Sequence, residues 1–161
     1  MFNGDEILKA FRDVGITHVV WLPDSTLGPW ETALANAGSP QLIRVCREAE
    51  AWGVAAGLHL GGAVPLVVIQ CTGLFDSGDS LRNFIHDLGL PLFALIGYRS
   101  YLTAARTTDT AATYTEPILR AWNIDYRLIE RRDQLPLFGE FFSHCRDAGK
   151  AGAVLLAEGK M

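Results

Sequence analysis

The chain has 161 residues, 49% of them hydrophobic, and a formal net charge of −4 at pH 7. That is enough apolar chain for one domain (1–161) with its own core, and it excludes an intrinsically disordered polypeptide. Mild acidity without a Lys/Arg cluster argues against nucleic acid or an anionic membrane as partner, because counterion release needs clustered cations.

The first segment, "MFNGDEILKAF", has acids where a signal peptide would carry a basic region, and Ile7, Leu8, Phe11 and Val14 share one helical face. Apolar runs rich in β-branched residues then recur at 17–23, 41–46, 64–71, 90–98, 125–130 and 153–158. Several are nearly continuous in apolar character, the mark of strands buried on both faces of a parallel sheet. Helical periodicity separates them, ending with Leu135, Leu137, Phe138, Phe141 and Phe142. The pattern predicts an α/β three-layer sandwich around a mostly parallel six-stranded sheet. The stretch "RSYLTAARTTDTAATYT" (99–115) has no clear period and is expected to be a loop. No run reaches the length of a membrane span.

Cys46, Cys71 and Cys145 are odd in number and widely spaced, which excludes a disulfide framework and points to reduced, cytoplasmic thiols. His18, His59, His86 and His144 have no ligand spacing, and no GxSxG or GxGxxG stands at a strand end. In such sheets ligands gather beyond the C-terminal strand ends. Three of those ends carry unusual chemistry: "LPDST" (22–26), "CREAE" (46–50) and "QCTGLFDSGDS" (70–80).

Each has a plain structural reading. Glu48 and Glu50 in a first helical turn complement the helix dipole, worth about 0.3–1 kcal/mol. Asp24 or Ser25 suits a helix N-cap. Gly73 and Gly78 give turn freedom, while Asp76, Asp79 and a serine do not define a metal site. The helix after Glu48 is harder to explain. Ala49, Ala51, Gly53, Ala55, Ala56 and Gly57 make it small on nearly every side, and a helical glycine costs about 1 kcal/mol relative to alanine. Small residues permit close approach by the sheet or by another subunit. Trp52 is expected to project from this helix as an interface anchor.

The pattern "REAEAWGVAAGLHLGG", followed by a buried strand and "QCTGLFDSGDSL", resembles the pyrimidine-binding domain of thiamine-diphosphate-dependent enzymes. The likeness is to the 2-oxo-acid decarboxylases of sulfopyruvate and phosphonopyruvate, and it runs across nearly the whole chain. It implies a flavodoxin-like thiamine-diphosphate-binding fold. It also implies that Glu48, nine residues before Gly57, hydrogen-bonds the pyrimidine ring nitrogen of the cofactor, which takes up the electrons left by carbon dioxide. Thr72, Gly73 and Leu74 would join Glu48 in binding the cofactor. Asp24, Ser25, Cys71 and Phe75 would line the substrate pocket. Arg99 in "LIGYR" and Arg106 are candidates for anion binding. Cys71-Thr72 and Phe75-Asp76 depart from the family's Asn-Ser and Gly-Asn, making the pocket bulkier and more acidic.

The family's Gly-Asp-Gly motif with a downstream asparagine, which holds Mg2+ and the diphosphate, has no match here. The resemblance therefore implies the alpha subunit of a split decarboxylase, with no metal ligands of its own and paired with a diphosphate-binding beta subunit in a two-fold hetero-oligomer. Its substrate would be a small 2-oxo acid, sulfopyruvate- or phosphonopyruvate-like, and the isolated chain should bind the cofactor weakly or not at all. Three alternatives stay open: an acetolactate synthase-like carboligase subunit, a non-catalytic regulatory subunit, and a free-standing flavodoxin-like binding module.

Overall fold

The computed structural model describes residues 2–24, 27–106 and 108–158, apart from the side chain of Arg106. Six strands form one sheet: β1 (His18–Trp21), β2 (Gln41–Arg44), β3 (Pro65–Gln70), β4 (Phe93–Tyr98), β5 (Asp125–Ile129) and β6 (Gly152–Ala157). Every pairing is parallel, in the order β2-β1-β3-β4-β6-β5. All six lie within or beside the apolar runs of the sequence. The three strands β3, β4 and β6 are buried at every position. A strand covered on both faces has no polar side to alternate with.

Two helical layers provide that cover. On one face lie α1 (Gly4–Asp13), α2 (Glu31–Asn36) and α7 (Pro136–Asp147). Their Phe11, Leu34 and Phe138 pack with Val19, Leu66, Val68 and Leu95. On the other lie α3 (Glu48–Leu60), α4 (Cys71–Asp76), α5 (Gly78–Leu81) and α6 (Ala111–Ala121). Their Ala55, Leu74, Leu81 and Leu119 pack with Val20, Val67, Ile69 and Ile96. Successive strand residues point to opposite faces, so Leu66 and Val68 serve one core and Val67 and Ile69 the other. The expected three-layer α/β architecture is therefore the observed one, with a wholly parallel sheet.

Two local expectations are corrected. Trp52 is 2% exposed and lies in the α3 core, so it anchors its own domain rather than projecting toward another. The segment 99–115 is not a structureless loop. Tyr101–Arg106 forms 3-10 turns and α6 starts at Ala111. Asp109 accepts a hydrogen bond from the Ala111 N–H (3.1 Å), and buried Thr115 returns its hydroxyl to the Ala111 carbonyl (2.7 Å). A hydroxyl satisfied within its own helix can be buried without a polar partner elsewhere.

Candidate active site

The sheet order reverses at β1, with β2 on one side and β3 on the other. Chain segments leaving β1 and β3 therefore diverge at the C-terminal edge, where a crevice forms in folds of this kind. Asp24 follows β1, Glu48 follows β2, the 71–76 turn follows β3, Arg99 follows β4 and Glu158 follows β6. Parallel strands bring all five segments to one edge.

Glu48 is the first residue of α3 and is half-buried. Its side chain lies directly against Gly73 in α4. A β-carbon at Gly73 would stand 2.6 Å from Glu48 Oε1 and 2.7 Å from Glu48 Cδ. Only glycine leaves room for the carboxylate there. Among the described residues, none donates a hydrogen bond to that carboxylate. Its neighbour differs: Glu50 Oε2 accepts from the N–H groups of Cys46 (3.1 Å) and Arg47 (3.2 Å). The two acids of the junction thus divide the work. Glu50 satisfies orphan donors at the start of the helix, and Glu48 keeps an acceptor at the crevice.

A polar network braces the next segments. Gln70, 8% exposed at the end of β3, accepts from Thr72 Oγ1 (3.1 Å) and from an Arg99 terminal nitrogen (3.0 Å). Arg99 grips Asp109 through two nitrogens, at 2.7 and 3.2 Å, and Ser100 Oγ donates to the same carboxylate (3.0 Å). The guanidinium and the Ala111 N–H lower the Asp109 carboxyl to about 2. Asp24 Oδ1 accepts from the Leu27 N–H (3.0 Å), but the N-cap of the 3-10 turn Gly28–Trp30 is Leu27, with no side-chain cap, so Asp24 is not the helix N-cap expected of it; its charge also acts on Arg99.

The remaining sequence candidates divide by placement. Thr72 and Phe75 keep partial exposure at the turn. Cys71 and Leu74 are 0% and 1% exposed and turn into the core, so in this chain their side chains do not face an open pocket. Burial raises the Cys71 thiol above its ordinary range and keeps it neutral. Ser25 and the side chain of Arg106 lie outside the described residues. Arg47 is bound to Asp76 at 3.2 Å, across the mouth between α3 and α4.

Residue-by-residue reading missed Gln70, Asp109 and Glu158. Gln70 and Glu158 each end an apolar strand, and a polar residue in that place is itself a signal. Glu158 is 7% exposed, with a carboxylate oxygen 2.6 Å from where a Gly97 β-carbon would be. Asp109 precedes a helix in "TDTAA", a capping pattern.

No family model matches the chain. It is 27% identical over 99 residues to phosphonopyruvate decarboxylase of Streptomyces hygroscopicus, a match covering 62% of this chain and 25% of that protein. It is 29% identical over 127 residues to sulfopyruvate decarboxylase subunit alpha of Methanococcus maripaludis, covering 78% and 76%. The chain is a distant homologue of these decarboxylases. The fold agrees: benzoylformate decarboxylase from Polynucleobacter necessarius superposes with a TM-score of 0.73 at 18% identity, over 98% of this chain and 30% of that one. The chain thus corresponds to about a quarter of the phosphonopyruvate enzyme's length and to most of the alpha subunit's. In this chain Glu48 and Gly73 meet although 25 positions separate them in sequence.

Proposed function

We propose that this chain is the pyrimidine-side subunit of a thiamine-diphosphate-dependent 2-oxo-acid decarboxylase, working with a diphosphate-binding partner that holds Mg2+. The observation that carries the reading is the Glu48 carboxylate, seated on Gly73 and free of hydrogen bonds from the described residues. The half-buried carboxylate keeps access to the crevice, where a ring-nitrogen donor could reach it. When bound, the cofactor supplies the electron sink that decarboxylation of a 2-oxo acid requires.

The chain's own residues have definite tasks in this scheme. Glu48 accepts a hydrogen bond and fixes the protonation state of the group it faces. Gly73 allows that close approach. Gln70, bridged to Thr72 and Arg99, holds the 70–73 backbone in place. Leu102 and Tyr114 are 46% and 56% exposed on segments that leave the same edge, an apolar surface suited to a covering chain. A homologue named as an alpha subunit supports a partner of that kind.

The test is calorimetry with thiamine diphosphate and Mg2+ on this chain, on a candidate partner, and on the mixture. The reading expects tight binding only in the mixture. Tight binding by this chain alone would overturn the shared site. The substrate carried over is a small 2-oxo acid; carboligation by the same subunit would appear in the same assay as a condensed product.

A further inference from the structure

The relatives' names include sulfopyruvate and phosphonopyruvate decarboxylases, whose substrates carry a second anionic group. A site for such a group needs an available cation. At the C-terminal edge of this sheet the described arginines are Arg44, Arg47, Arg99, Arg131 and Arg132, and each is paired with a carboxylate, Arg44 with Glu31, Arg131 with Asp133 and Arg132 with Glu6. Arg47 pairs with Asp76 at 3.2 Å. Each of the three guanidinium nitrogens of Arg99 donates one hydrogen bond within the protein, while the side chain stays 42% exposed. Two go to Asp109 at 2.7 and 3.2 Å and the third to Gln70 at 3.0 Å. Asp109 is in turn fixed by Ser100 Oγ and the Ala111 N–H. The same edge carries the acids Asp24, Glu48 and Glu158.

We propose that Asp109 sets the substrate class by occupying Arg99, so that the 2-oxo acid taken here has an uncharged tail rather than a sulfonate or phosphonate. The inference rests on the decarboxylase reading above. A free sulfonate would have to displace a carboxylate that is tethered, two-pronged and already in place, and a tethered competitor wins at ordinary substrate concentrations. The depressed Asp109 carboxyl keeps this block charged throughout the physiological range. Asp109 acts through Arg99 and is a positioning residue.

Two measurements test this. The first follows the Arg99 Nε–H resonance of the 15N-labelled chain while 3-sulfopropanoate or butanoate is added. The signal should stay put in the wild type with both, and should move with 3-sulfopropanoate in Asp109→Asn, which retains a polar group for the Ala111 N–H. The second compares kcat/KM for 2-oxobutanoate and sulfopyruvate in the assembled enzyme. The wild type should favour 2-oxobutanoate, and Asp109→Asn should shift the ratio toward sulfopyruvate by about tenfold or more. A wild-type Arg99 signal that responds to the sulfonate, or a wild-type preference for sulfopyruvate, overturns the proposal. An assembly that decarboxylates no 2-oxo acid overturns the decarboxylase reading instead, and the arginine titration still decides whether Asp109 masks Arg99.

Discussion

Replacing Gly73 by alanine probes the contact on which the site depends. The new β-carbon would lie 2.6 Å from Glu48 Oε1 and 2.7 Å from Cδ, where ordinary contact begins at 3.4 Å. Glu48 Cγ would lie closer still, so the shortfall exceeds 1 Å and falls on the body of the side chain as well as its tip. Overpacking of this kind costs about 1–3 kcal/mol. Glu48 is only half-buried and can swing outward, so the lower part of that range applies, about 1–2 kcal/mol. In a Glu48→Ala background the obstructing atoms are gone. There Gly73→Ala should stabilise by about 0.5–1 kcal/mol, because alanine is the better helix former. The two substitutions should therefore couple by about 2 kcal/mol, within the range seen for residues in direct contact. Urea denaturation of the four variants of the chain gives the cycle. An equal cost of Gly73→Ala in both backgrounds would refute the packing of Glu48 on Gly73.

Other outcomes follow from the same structure. Gly57 lies in α3 with nothing within 4 Å of an added β-carbon, so Gly57→Ala should stabilise the chain by about 0.5–1 kcal/mol and raise Tm by a few degrees in a thermal scan. Asp109 has a folded carboxyl near 2, below its unfolded value of about 3.9. Its stabilisation is therefore fully present above about pH 4 and lost as pH falls through 2. Asp109→Asn should be less stable than wild type at pH 7, with the gap closing toward pH 2 in urea melts. Cys46 is exposed, whereas Cys71 and Cys145 are buried with thiols raised by that burial. A thiol reagent at neutral pH should modify Cys46 promptly and the other two only in denaturant, as mass spectrometry would show.

The sheet was legible because its strands are covered on both faces, which leaves continuous apolar runs of strand length. Their edges were less so. The apolar run 64–71 continues through Cys71, which is already the first residue of α4, since a helix leaving the sheet into the core stays apolar. The facing of α3 was misjudged for a related reason. A helix that is small all round has no polar stripe to set its orientation, so Trp52 gave no hint that it turns inward. The segment around Thr115 hid a helix behind polar residues, of which Thr115 turns its hydroxyl back onto the helix backbone. At the site, Glu48 stood out through its family resemblance, and the structure added the glycine that seats it. The Arg99–Asp109 pair could not be read from sequence. Ten positions and a 3-10 turn separate the two, and the direction of an arginine side chain is set by tertiary contacts.

The central claim concerns Glu48, and decarboxylation by the chain assembled with its diphosphate-binding partner tests it most directly. Glu48→Gln keeps the size of the side chain and removes its charge. If Glu48 governs the protonation state of the group it faces, turnover of a 2-oxo acid should fall by about 10²–10⁴-fold while the complex still assembles. Turnover equal to that of the wild type would contradict the assignment.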